Sequence, residues 1–187
     1  MSKPADSPTR LQELRQAVEE RPDDARAHLK LGMALARMES VHKAEQTLRK
    51  AVELDPELVE GWVNLGGVLL SKWDFEGCVE ANRQAQKVRP DLFEAHYNEG
   101  LGHMYLKDEE AMLASFERVV ELRPDHPAGV YHLAVAQLAV GQVTEARRSL
   151  TRATELGHSP APEFIRTLEK EERNQKLPPD DGATKSN

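Results

Sequence analysis

Pro22, Pro56, Pro90 and Pro124 stand 34 residues apart, and this constant interval constrains the fold more than any other feature of the chain. A fixed period of that length is what a helix–turn–helix unit stacked on copies of itself produces. The rest of each unit recurs in step with its proline. Gly32, Gly66 and Gly100 share one slot, which Ala134 continues. Ala17, Ala51, Ala85 and Ala153 share another, with Val119 in the gap. Leu54, Val88, Leu122 and Leu156 each stand two residues before the proline position. The period predicts an all-α chain, a right-handed α-solenoid of stacked helix pairs.

Four full units are expected, at 25–58, 59–92, 93–126 and 127–160. In each, the proline ends the second helix, because it lacks an N–H and clashes with the preceding turn. The residue after it is Asp23, Glu57, Asp91 or Asp125, an acid suited to start the next helix. Ahead of these units, Leu11, Leu14 and Val18 share one helical face, so residues 9–21 read as an N-terminal cap helix. His158 stands where a fifth proline would fall, and a final capping helix is expected over 162–173, apolar through Phe164, Ile165 and Leu168 and polar on its far side. A solenoid needs such solvated ends to stay soluble. Residues 1–8 and 174–187 carry no apolar pattern and are expected to be a disordered lead-in and tail.

The net charge of −7 argues against nucleic acid as a partner, since nucleic-acid binders carry a basic patch. No run of residues approaches the length of a membrane span, and the opening MSKPADSPTR lacks the apolar core of a secretory leader. A single cysteine, Cys78, allows no internal disulfide. These features together predict a cytoplasmic protein.

The residues in the repeating slots resemble the tetratricopeptide repeat, whose pattern runs W-x2-L-G-x2-Y, A-x3-F, P. Unit two carries Trp62, Leu65, Gly66, Leu69 and Pro90. Unit one carries Leu31, Gly32, Leu35, Ala44, Leu48, Ala51 and Pro56. Unit three carries Gly100, Phe116 and Pro124, and unit four carries Leu133, Ala134, Ala146, Leu150 and Ala153. The resemblance covers about residues 9–173. It implies a protein-interaction adaptor or scaffold whose concave face, lined by the first helix of each unit, takes a peptide or helix of another protein. A self-assembling homo-oligomer and an accessory subunit of an enzyme complex are the alternatives.

On those first helices, Lys30, Asn64, Asn98 and His132 form a polar row at the repeat period. Asparagine offers both a donor and an acceptor to an extended backbone. Beside it run Leu29, Val63, Tyr97 and Tyr131, then Met33, Gly67, Leu101 and Val135. The candidate groove is therefore Lys30, Asn64, Asn98, His132, Tyr97, Tyr131, Leu101 and Val135. Glu60 and Glu94 on the same face would oppose a carboxylate ligand, so the carboxylate clamp of some family members is not expected.

The seven histidines show no metal-ligand spacing, and no glycine-rich phosphate loop or nucleophile–base set is present, so no metal, cofactor or catalysis is expected. Asn82, Glu99, His103 and Gln137 break the apolar pattern at core-like slots. Glu99 is expected to face inward, with Asn82 or His103 within hydrogen-bonding reach.

Overall fold

The structure, a computed structural model, describes residues 8–38 and 40–176. These form ten helices and no strand: α1 (Pro8–Glu20), α2 (Ala25–Arg37), α3 (Val41–Leu54), α4 (Val59–Ser71), α5 (Phe75–Val88), α6 (Phe93–Leu106), α7 (Glu109–Leu122), α8 (Pro127–Ala139), α9 (Val143–Glu155) and α10 (Pro162–Lys176). Helix takes in Pro8 of the expected lead-in and Asn174, Gln175 and Lys176 of the expected tail. The other positions of both segments lie outside the described residues.

Each first helix packs on its own second helix, α2 on α3 through α8 on α9, and each second helix then packs on the next first helix. The first helices also touch one another, α2 with α4 and α4 with α6, which makes them the tighter, inner layer of a right-handed superhelix. The glycine slot sets how closely a pair approaches. A Cβ at Gly32 would lie 2.6 Å from Leu48, one at Gly66 2.1 Å from Asn82, and one at Gly100 2.8 Å from Phe116. The second helix therefore sends a fully buried side chain into a notch that any larger residue would fill.

The prolines hold the joints as well as stopping helices. α3, α5 and α7 end two residues before Pro56, Pro90 and Pro124. The proline carbonyls then accept from rings on the following helix: His28 Nε2 meets Pro22 at 2.8 Å, Trp62 Nε1 donates to Pro56 at 2.8 Å, and His96 Nε2 meets Pro90 at 2.7 Å. Two of the seven histidines thus stand where another repeat has its tryptophan.

The acids that follow the prolines are not the helix caps. Asp24, one residue further on, caps α2 by accepting from Ala27 N, and His126 Nδ1 caps α8 by accepting from Gly129 N. Leu58 and Leu92 start α4 and α6 without a side-chain cap. Asp74 and Asp108 cap the second helices α5 and α7. Asp74 and Asp108 thus lie inside their units, at the tight turn between paired helices, while Asp24 caps the first helix from the joint before it.

The apolar interior is divided. One cluster runs from Leu14 to Ala81, a second from Phe93 to Ala136, and a third gathers Leu150 and Leu168 under α10. Between the first two lies the α5–α6 contact, where Asn82 and Glu99 are buried.

Candidate functional site

The inner face of α4 and α6 encloses a cleft of about 340 Å³. Val63, Asn64 and Gly67 of α4, Phe93, Tyr97 and Asn98 of α6 and Ala36 of α2 are among its lining residues. Gly67 has nothing within 4 Å of where a Cβ would stand, so its bare backbone lowers the floor. Asn64 Nδ2 donates back to Glu60 O of its own helix at 2.7 Å. Asn98 Nδ2 reaches Asn82 Oδ1 at 3.5 Å, so this amide bridges the cleft and the buried layer beneath it. Tyr97 is half-buried, stacked on Phe93 at 5.7 Å and edge-on to Phe116 at 5.9 Å, and burial pushes its phenol pKa up.

The other members of the polar row lie elsewhere. Lys30 is exposed at the far end of the inner face, in a second cleft of about 360 Å³ between α1 and α2 that it shares with Arg26. His132 sits among rings, stacked on Phe116 at 5.1 Å and edge-on to Tyr97 at 5.6 Å. Its Nδ1 is buried with no hydrogen-bond partner, and burial, assisted by His158 and His126, pulls its pKa down to about 4. It is therefore a neutral packing residue near pH 7. Tyr131 lies stacked on His158 at 4.2 Å and edge-on to Phe164 of α10 at 5.4 Å, so it seats the C-terminal cap. Leu101 is half-buried toward the turn edge of α6, and Val135 is half-buried on α8. The eight residues do not form one continuous track; Asn64, Asn98 and Tyr97 meet at the central cleft.

Two rim arginines are absent from the sequence reading. Arg89 pairs with Glu60 at 3.5 Å, and Arg123 pairs with Glu94 at 3.1 Å while lying 4.2 Å over the Phe93 ring. Both precede a repeat proline, so their own 34-residue interval was the available signal. They balance the two glutamates that looked like a bare acidic rim.

The polar cluster splits in two. Glu99 is 8% exposed and faces inward. Its Oε1 accepts from Arg83 Nε at 2.8 Å, and its Oε2 accepts from Gln86 Nε2 at 2.6 Å. His103 Nε2 lies 3.7 Å away, beyond hydrogen-bond range, and Asn82 donates instead to Cys78 O at 2.8 Å. The expected partners are thus replaced by two long side chains of α5, which reach the carboxylate from the solvent side. Gln137 accepts from Ser149 at 2.7 Å, away from this group. Cys78 is fully buried, and burial pushes its thiol up to about 11, which leaves it unreactive.

Among the described residues no group of three or more His, Cys, Asp and Glu is placed to hold a metal ion. No helix among them is long and apolar enough to cross a membrane.

The sequence profile of the tetratricopeptide repeat family matches residues 11–59 and 97–161, more than half of the chain. The chain belongs to the tetratricopeptide repeat family. A comparison with curated proteins finds no match to this sequence. Among solved structures, MamA is similar at a TM-score of 0.73 and 20% identity, covering 90% of each chain. A MamA fragment from Desulfovibrio magneticus RS-1 gives a TM-score of 0.74 at 20% identity, over 79% of this chain and 84% of that one. YrrB, described as a TPR protein with an unusual peptide-binding site, gives 0.78 at 18% identity, over 89% and 85%. At such identities the likeness establishes the superhelical fold.

Proposed function

We propose that this tetratricopeptide solenoid is a non-catalytic adaptor that holds a peptide or helical segment of another protein on its inner face, in the cytoplasm. The observation that carries the reading is the α4–α6 cleft. It combines an apolar and aromatic floor, Val63, Phe93 and Tyr97, with two carboxamides one repeat apart and a glycine that lets a ligand backbone come close. That is the chemistry for an extended or helical chain: rings and aliphatic groups for its side chains, amides for its backbone. The rim pairs Glu60–Arg89 and Glu94–Arg123 offer both signs of charge and orient a segment without demanding a net-charged one. YrrB's peptide-binding site is in keeping with such a role on this fold. The cleft uses neither the α1 nor the α10 end, so binding leaves both caps in place.

Affinity capture from a native extract, wild type against Asn64→Ala/Asn98→Ala, tests the reading. A partner retained by wild type and lost by the double variant, with the melting temperature within a few degrees, supports it. The same proteins on both baits would remove the cleft from the function. Sedimentation over a concentration series separates this adaptor from a self-assembling scaffold.

A further inference from the structure

A second surface lies outside the inner cleft, at the turn edge of repeats two and three. Trp73, in the turn between α4 and α5, is 73% exposed, and Tyr105, at the end of α6, is 49% exposed. Phe75 stacks on Tyr105 at 4.6 Å, and the Trp73 indole stands edge-on against both, 5.9 Å from each. The three rings, with Leu70, Ser71 and Leu101, border an open cleft of about 300 Å³.

Folding gives no account of Trp73. Its φ is +63°, in the left-handed region, and the equivalent positions are Lys107 at +57° and Gly141 at +80°. The slot is one where the backbone favours glycine, and a bulky residue there is strained. The chain thus places its largest side chain in a disfavoured conformation and leaves most of it in water. Strain and exposure that packing does not offset point to a binding role, and tryptophan and tyrosine are the side chains that most often dominate such contacts.

Charge specifies the occupant. The two turns that carry the rings also carry Asp74, Glu76, Asp108, Glu109 and Glu110, against only Lys72 and Lys107. Lys72 is committed to Glu45. Asp74 and Asp108 cap α5 and α7 but keep their charge, so an exposed indole on these net-acidic turns attracts a cation, and a guanidinium stacks on it best. A second copy of this chain fits poorly, because a twofold pairing would set each acidic rim against its own kind in a chain of net charge −7. We propose that this edge docks a basic segment of a partner protein, an arginine flanked by apolar residues. Its guanidinium lies on Trp73, and an apolar neighbour enters the cleft beside Leu70 and Leu101. The surface is separate from the α4–α6 cleft and does not depend on it.

Selection of random displayed short peptides on wild type, with counter-selection on Trp73→Gly, is the direct test. The expected peptides carry arginine beside apolar residues, lose about tenfold or more in affinity for Trp73→Gly, and weaken similarly when arginine is replaced by neutral citrulline. Trp73→Gly itself is expected to melt at the same or a higher temperature, so the loss is not one of folding. Asn64→Ala/Asn98→Ala should bind these peptides unchanged, which keeps failure of the inner cleft distinct from failure of this surface. Absence of Trp73-dependent peptides, winners without a basic residue, or self-association that vanishes in Trp73→Gly would each overturn the proposal.

Discussion

Asn82 and Glu99 occupy slots that the other repeats fill with leucine or phenylalanine, and the two are tolerated for different reasons. Asn82 is smaller than leucine but branches at the same carbon, and it satisfies its amide on Cys78 O, one turn back on its own helix. Glu99 depends on neighbours, Arg83 and Gln86, whose own ends remain partly in water. Removing a partner strands a buried carboxylate, whereas removing the carboxylate strands nothing. Gln86→Leu is therefore expected to cost about 1–3 kcal/mol, and Glu99→Leu to be near neutral, by urea denaturation. Equal losses from the two would contradict this account. His132 gives the pH dependence at the same scale. Its folded pKa of about 4 lies below the ordinary 6.5, so the unfolded chain takes the proton first. Its contribution is fully present above about pH 6.5 and is lost as pH falls toward 4, by roughly 3 kcal/mol at most. In His132→Phe the decline of stability across that window should be shallower. An unchanged slope would mean that the ring is not held neutral. The Glu45 carboxyl, held low chiefly by its hydrogen bond from Lys72, works in the lower range and loses its contribution only below its ordinary 4.5.

Adjacent glycines on α4 separate packing from binding. Gly66 faces α5, where a Cβ would stand 2.1 Å from the fully buried Asn82, while Gly67 faces the open cleft with nothing within 4 Å. Gly66→Ala should destabilise, since the amide has nowhere to go. Gly67→Ala should stabilise by about 1 kcal/mol through helix propensity while raising the cleft floor and weakening partner binding. Thermal melts and a binding assay on the pair check both signs; a stabilising Gly66→Ala would refute the notch. At the C-terminal end, α10 is held by the fully buried Leu168 and by a two-pronged pair in which Arg147 Nε and a terminal nitrogen donate to Glu172 at 2.7 and 2.8 Å. Leu168→Ala is expected to cost about 2–5 kcal/mol, read as faster hydrogen exchange in α10 ahead of the other helices. Helix order and pairing are legible in the sequence because the proline stops, the glycine notches and the apolar slots all carry the same period. The inner cleft is legible only in its middle. A tyrosine at helical spacing serves packing or binding equally well, and Tyr131 goes to the cap because His158, which takes the place of the repeat proline, and Phe164 of the capping helix come to meet it. Arg83 and Gln86 escape a pattern reading because both stand among the polar residues of α5, yet their side chains are long enough to reach an acid on α6.

At the scale of the whole molecule, the break between the two large apolar clusters falls at the α5–α6 contact. Apolar packing crosses it in two limited places, the small group of Val59, Ala85 and Ala95 and, at the turn edge, Phe75 stacked on Tyr105 with Val79 against Gly102, beside the buried amide and carboxylate. In a solenoid each unit contacts only its neighbours, so cooperativity is the sum of such interfaces, and the weakest one is where unfolding divides. Repeats two and three share the most extensive contact between neighbouring units, but its polar part transmits less free energy than an apolar one of the same area. Both inner-cleft asparagines and the Trp73 edge straddle the same boundary, so a partner bound at either surface joins repeats two and three and should stiffen it. The tryptophans make the division measurable, because Trp62 and Trp73 both lie in repeat two and none lies beyond. Trp62 fluorescence follows the N-terminal half, and Trp73→Gly removes the exposed indole that touches Tyr105 across the boundary, while far-ultraviolet circular dichroism averages over all the helices. In wild type the two urea transitions are expected not to coincide. In Asn82→Leu/Glu99→Leu, which restores the leucines of the other repeats at both slots, they should merge with a steeper common slope. Coincident transitions in the wild type would show that the apolar contacts on either side of the polar layer suffice, and that this layer does not limit how the superhelix holds together.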